Sequence, residues 1–391
     1  MFKIIFLIAS LKGDKGVSKK IKNRLKAILV FLICIILFFV HFSKTNQVKE
    51  LEVLTWDNYY NENNIAFFYE DENNEKIKSL DSTYKVKEVL NESDKEIDKV
   101  LKSIDILNAI CQYDDIDDLK QKSAYDIFKK LGGRRKVSAK DMAIIERDLL
   151  VSYGFKSRVG AFKMKDAAFE DKYNYYVVEY WSNENNKWVM IDPLDKGYFR
   201  ERDTLLSAIE VMTKEFNPLF YEGKTKEKEY KNNLKKYFGS YSIEIDNTIK
   251  NNKSNTSITY IKNEKALELK FKDEFGPPTI FTQETKLFEK SPEDNKVGQD
   301  EKAYLILMEK QDLVKITENN QGNDQNKYSI FMILGAFKDG KIMDEYYLST
   351  NNSEYEKIYK YKEIEIPKGE VELNLSIDGT NSISKIILRK N

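Results

Sequence analysis

Residues suited to covalent or metal chemistry are scarce in this chain. It holds two cysteines and one histidine among 391 residues. Cys34 and His41 both lie in the apolar run from Ala27 to Phe42, AILVFLICIILFFVHF. Cys111 is thus the one thiol of residues 44–391, and that part has no imidazole. Such a set excludes an intramolecular disulfide there, any cysteine-based metal site and every mechanism that needs a histidine base. Cys111 follows Ile97 and Ile104 on one helical stripe, so a packed core cysteine is expected. Asp114, Asp115, Asp117 and Asp118 lack the spacing and the glycine of a calcium loop. Gly132-Gly133-Arg134-Arg135-Lys136 lacks the pattern of a phosphate loop. No metal and no cofactor is expected. The 64 basic and 64 acidic residues cancel, which leaves no electrostatic case for a nucleic-acid partner.

The most informative residues lie between Arg135 and Pro193. Ser138 fits a helix N-cap and Asp141 its third helical position, the two halves of a capping box. The helix start reads Ala139-Lys140-Asp141-Met142-Ala143. Gly154-Phe155-Lys156-Ser157-Arg158-Val159 then leads from helix to strand. Tyr175-Tyr176-Val177-Val178-Glu179-Tyr180 and Lys187-Trp188-Val189-Met190-Ile191-Asp192-Pro193 follow as two more strands.

In order and spacing these pieces resemble the core of the transglutaminase-like superfamily. That family shows C-x-D-x-A at the helix start, G-I-P-A-R-V, then H-x-W-x-E-V and W-x-x-x-D-P. The resemblance implies a domain of the papain-like cysteine protease type with a Cys–His–Asp set. There the thiolate attacks a carbonyl, the imidazole moves protons and the aspartate orients the imidazole. Here Ala139 stands at the cysteine position and Tyr175 at the histidine position, and only Asp192 remains. A methyl group is no nucleophile, and a phenol of pKa about 10 is a poor base. The resemblance therefore implies the fold with a degenerate triad, in a cleft to which Ser138, Asp141 and Trp188 would belong. Ser138 lacks a histidine or lysine base, since Lys136 and Lys140 read as solvated charges. Trp181 and Trp188 also suit a core.

The elements around this segment set the organisation. Lys12, Lys15, Lys19, Lys20, Lys22, Arg24 and Lys26 precede the apolar run, and basic density falls after it. The positive-inside rule puts the N-terminus in the cytoplasm and the rest outside. No A-x-A site follows, so an uncleaved anchor is expected. The domains expected are a basic cytoplasmic segment (1–26), a transmembrane helix (27–43), a linker and strand-containing lead-in (44–90), an α+β transglutaminase-like domain (91–240) and an all-β sandwich (241–391). Helical spacing predicts helices over 97–111, capped from Ser93, and over 119–131, 138–153, 204–216 and 226–238. Period-two runs predict strands at 157–162, 173–181 and 187–191. After Tyr241 they recur at 257–261, 266–271, 303–308, 328–337, 341–348, 361–366, 371–377 and 384–388. Asp339-Gly340 signals a hairpin.

The function expected is that of a single-pass membrane protein outside the cell, an inactive transglutaminase-like domain that binds or scaffolds at the envelope. Its partners would be the membrane through 27–43 and a cell-wall polymer or an envelope protein. The last strands are faintly similar to jelly-roll carbohydrate-binding modules. The alternative is an enzyme with a rearranged site, acting on peptide or cell-wall amide bonds.

Overall fold

Among the described residues five helices precede the main sheet, and three of them begin at a side-chain cap. Asn74 caps α1 (Glu75–Tyr84), accepting from the Lys76 amide, and α2 (Val86–Leu90) follows directly. α3 (Glu96–Ile110) buries Val100, Ile104 and Leu107 at helical spacing. Ser123 caps α4 (Ala124–Leu131), which Gly132 ends in the left-handed region at φ 57°. α5 (Ala139–Tyr153) starts with the complete capping box of Ser138 and Asp141, and Gly154 ends it. Every residue from Asp141 to Ser152 is buried. The helix therefore has no solvent face along that stretch and must be packed on all sides.

The structure, a computed structural model, describes residues 51–56, 65–164, 174–250, 253–254, 256–262, 279–294, 303–310, 330–338 and 341–390. The class is α+β. The first strand is β1 (Leu51–Trp56). The main sheet is built from β2 (Ser157–Lys163), β3 (Asn174–Ser182), β4 (Lys187–Asp192), β5 (Gly197–Glu201), β6 (Phe220–Glu222), β7 (Ser240–Glu244), β8 (Ser257–Ile261) and β9 (Thr279–Thr282). Their spatial order is β6-β5-β4-β3-β2-β7-β8-β9, antiparallel except for the last pair. Alternation along the strands gives the sheet two different faces. Val178, Tyr180, Val189 and Ile191 meet Ala143 and Leu150 of α5 and Val100 and Ile104 of α3. The other side of α5 packs with α1 and α4. Tyr175, Val177, Met190 and Phe199 point the opposite way, under α6 (Ala208–Lys214) and α7 (Glu227–Leu234).

The C-terminal residues form two further sheets around a second core. One sheet has the order β1-β16-β15-β12-β13, with β12 (Glu345–Thr350), β13 (Glu356–Tyr359), β15 (Gly369–Ser376) and β16 (Ser384–Lys390). The other pairs β10 (Tyr304–Lys310) and β14 (Tyr361–Ile366) on either side of β11 (Ile330–Lys338). Leu305, Leu307, Leu334, Leu348, Leu373 and Ile386 lie in the core that these strands share.

The structure differs from the sequence expectations in several places: Thr204–Leu205, expected to open a helix, form a short strand, and the helix expected over 119–131 begins at Ala124. The all-β part does not start at Tyr241, because β7 pairs with β2 as well as β8 and prolongs the main sheet. The described part of the lead-in before residue 90 contains strands, as expected, but also the helices α1 and α2, and its strand β1 pairs with β16 at the far end of the chain. Ser93 does not cap α3, whose N-cap is Lys95. Asp339-Gly340, where a hairpin turn is expected, lies outside the described residues; Lys338 and Lys341 on either side are paired. The basic segment 1–26, the span 27–43, the linker 44–50 and the strand expected at 266–271 lie outside the described residues. Among the described residues no helix is long and apolar enough to cross a membrane.

One buried acid in this core has a measurable consequence. Glu146 of α5 is fully buried, is bonded to the Ser103 hydroxyl, and its Oε2 meets no partner among the described residues. Burial lifts its pKa from 4.5 to about 8, with Asp105 adding to the rise. A carboxyl raised in the folded state stabilises it at low pH, and that stability is lost as pH rises through the folded value. The unfolding free energy is expected to fall between about pH 4.5 and 8 in the wild type. Glu146→Gln should flatten that decline. Parallel denaturation curves for the two proteins across this window would contradict it.

Candidate functional site

Asp192 ends β4 and Tyr175 lies near the start of β3, two strands paired through Val178 and Ile191. The pairing makes the two side chains diagonal neighbours on the face beneath α7. The Tyr175 hydroxyl donates to Asp192 Oδ2, and so does the Tyr230 hydroxyl of α7, at 2.7 Å. Asp192 Oδ1 accepts from the Leu194 and Asp195 amides at 2.8 and 3.2 Å. The carboxylate is fully buried and has four donors. Burial raises its pKa, and the two phenols and two amides hold the rise back. The phenols respond in the opposite sense: burial and the adjacent Asp192 charge push both Tyr175 and Tyr230 well above the ordinary tyrosine value. Neither phenol can act as a base near neutral pH.

Aromatic rings pack around this set. Tyr221 of β6 stacks on Tyr230, with ring centres 3.7 Å apart and planes within 8°. Its hydroxyl donates to Asp195, which also accepts from the Thr225 amide at 3.0 Å and the Thr225 hydroxyl at 2.5 Å. Tyr221 fits because residue 197 is glycine: a Cβ there would stand 1.9 Å from the Tyr221 hydroxyl oxygen. The Tyr237 ring lies 5.3 Å from that of Tyr175.

The helix N-terminus is a separate, equally closed arrangement. Ser138 Oγ is 2.8 Å from Asp141 Oδ2 and accepts from the Asp141 amide at 3.1 Å. The Leu119 amide donates to both oxygens of Asp141, at 3.2 and 3.1 Å. Ser138 and Asp141 are 6% and 1% exposed. Lys140 pairs with Asp118 at 2.9 Å. Burial lowers its pKa, but Tyr176, Asp118 and Glu244 together hold it above the usual lysine value. Lys140 is therefore a held ammonium and not a free base for Ser138.

The residues singled out in the sequence thus fall into two groups. Tyr175 and Asp192 are hydrogen-bonded under α7. Ser138, Ala139 and Asp141 form the start of α5. Trp188 is 1% exposed; its indole donates to the Lys290 carbonyl at 2.8 Å and its ring lies 4.0 Å from the Arg158 guanidinium. It is a core residue. Cys111 is buried, and burial pushes its thiol up to about 11, so it is not a ready nucleophile. Among the described residues no group of three or more His, Cys, Asp or Glu side chains could hold a metal. Sequence reasoning missed Tyr230, Tyr221 and Asp195, and no spacing rule links Tyr230 to an aspartate 38 residues earlier.

Comparison with known proteins adds little to this geometry. No family model matches the chain, and no curated protein matches it. A solved structure from Cytophaga hutchinsonii, described as a "putative cysteine protease", is similar at 16% identity and a TM-score of 0.25. The likeness covers 30% of this chain and 37% of that one, and carries no argument about fold or chemistry.

Removing one phenol tests how firmly Asp192 is held. Tyr230→Phe withdraws a donor from a buried carboxylate, which costs roughly 1–3 kcal/mol when no water replaces it. It should also move the Asp192 pKa further up, since the Tyr230 bond lowers it. Urea denaturation of the two proteins reads the loss. An unchanged midpoint would mean that Tyr230 is not a working partner.

Proposed function

We propose that this protein is a non-catalytic transglutaminase-like module, anchored in the membrane by residues 27–43, that binds or scaffolds on the outer side of the cell envelope. The observation that carries this reading is the state of Asp192. In the family that the sequence resembles, the aspartate orients an imidazole beside a thiolate. Here its Oδ2 accepts from two buried phenols and its Oδ1 from two amides. Both phenols hold their protons more tightly than free tyrosine. Nothing in that set takes a proton from a nucleophile at neutral pH.

The first turn of α5 supports the same reading. Where the sequence aligns the family's nucleophile, Ala139 presents a methyl group. Its neighbour Ser138 has its hydroxyl within the capping box. An activated serine needs a general base within hydrogen-bond reach that is free to take its proton. Asp141 is the side chain in that place, and Lys140 is bound to Asp118. Catalysis would require the cap that starts the helix to be broken.

The test is turnover by the full-length protein in a mild detergent. Amine incorporation into a glutamine peptide and hydrolysis of peptide and cell-wall amides would be measured beside Ser138→Ala. No turnover above the buffer rate is expected from either protein. Turnover that Ser138→Ala abolishes would replace this proposal by the enzyme reading.

A further inference from the structure

The helix that closes the Asp192 set and its two flanks also carry exposed basic charge without ion-pair partners. α7 turns Tyr230 and Leu234 inward, and Tyr237, three residues beyond Leu234, packs on Tyr175. The residues between them face solvent. Lys224, Lys226, Lys228, Lys235 and Lys236 are all exposed. None of these five ammonium groups has an ion-pair partner among the described residues. Of the two acids in residues 224–236, Glu227 is already paired with Lys231, which leaves Glu229 as the one opposing charge there. The whole chain is neutral, so this surface is a local departure from its average. Lys228 and Lys235 lie two helical turns apart, about 10 Å along the axis.

We infer that the lysine face of α7 and its flanks is a docking surface for a linear polyanion of the envelope, a polymer with a phosphodiester in each repeat. The inference rests on the reading of this domain as a binding module and names the ligand class and the surface. Compact ammonium groups on flexible stems suit a polymer whose charges recur along a chain, because each lysine meets a phosphate without a fixed geometry. Several such contacts release counterions together, so affinity falls steeply with salt. Tyr230 and Tyr237 pack against Tyr175, and Tyr230 also against Phe199, which ties the segment to the sheet. A preformed face loses less conformational freedom on binding. The closed site and the charged surface are therefore the two sides of one short segment.

The experiment uses the full-length protein in an uncharged detergent, with synthetic poly(glycerol phosphate) as the probe and dextran as the uncharged control. Saturable binding to the phosphate polymer, absent for dextran and weakened by added salt, is expected. The triple variant Lys228→Gln, Lys235→Gln, Lys236→Gln should lose about tenfold or more in affinity, through fewer released counterions. The control variant Lys78→Gln, Lys85→Gln, Lys368→Gln removes exposed lysines elsewhere and should bind as the wild type does. Circular dichroism should show all three folded alike. Equal binding by the α7 variant and the wild type would overturn the inference. So would binding to phosphatidylglycerol vesicles that the polymer does not compete away, which would assign the face to lipid. Amide turnover would defeat the non-catalytic reading independently of either binding result.

Discussion

Arg158 and Glu179 form the interaction on which the arrangement of the main domain depends. They are register partners on β2 and β3, and both are fully buried. Arg158 Nε and Nη2 approach Glu179 Oε2 at 2.8 and 2.7 Å. The remaining capacity of the pair reaches three other elements. Glu179 Oε1 accepts from the amide of Ala208, the first residue of α6, at 2.8 Å. Its Oε2 accepts from the Tyr241 hydroxyl of β7 at 2.8 Å. Arg158 donates to the Phe288 carbonyl and lies against the Trp188 ring. A buried ion pair contributes little net stability, but breaking one costs about 3–5 kcal/mol. Its effect here is selective: any register or docking that separates Arg158 from Glu179 is strongly disfavoured.

That constraint reaches the candidate site through strand alternation. Tyr175 and Val177 lie on the same face as Glu179 because they precede it by even steps, and Asp192 shares that face with Trp188 and Met190 in the same way. Once Arg158 and Glu179 are turned toward α6, Tyr175 and Asp192 must turn with them. A carboxylate buried there needs donors, and Tyr230 of α7 supplies one from above. The glycines at 160 and 197 permit the close approach of Tyr241 and Tyr221: a Cβ at these positions would lie 2.0 and 1.9 Å from the respective hydroxyl oxygens. The polar network thus closes only because both sheet positions lack side chains.

The chain order and the spatial order differ. β7 and β8 belong to the main sheet although their sequence texture matches the later strands. β1 belongs to the C-terminal sheet although it precedes every described helix. A strand does not record its partner in its own alternation; many partners of the same pattern would satisfy it. The first and last described strands are therefore joined by a choice made among tertiary alternatives.

By itself the sequence determined what depends on neighbours along the chain. The capping box at Ser138 and Asp141, the apolar stripes of α3 and α5, the three strands from Ser157 to Asp192 and the stop at Gly154 follow from propensity, capping and period. The poverty in thiol and imidazole was equally legible, because it is a count. What the tertiary structure decided is what joins distant residues. It placed Tyr230 on Asp192, Ala208 on Glu179 and β1 on β16. The physical reason is that local rules fix which way a side chain points from its own element. Which element it then meets depends on burying whole faces at once, and that is settled only when the chain is packed.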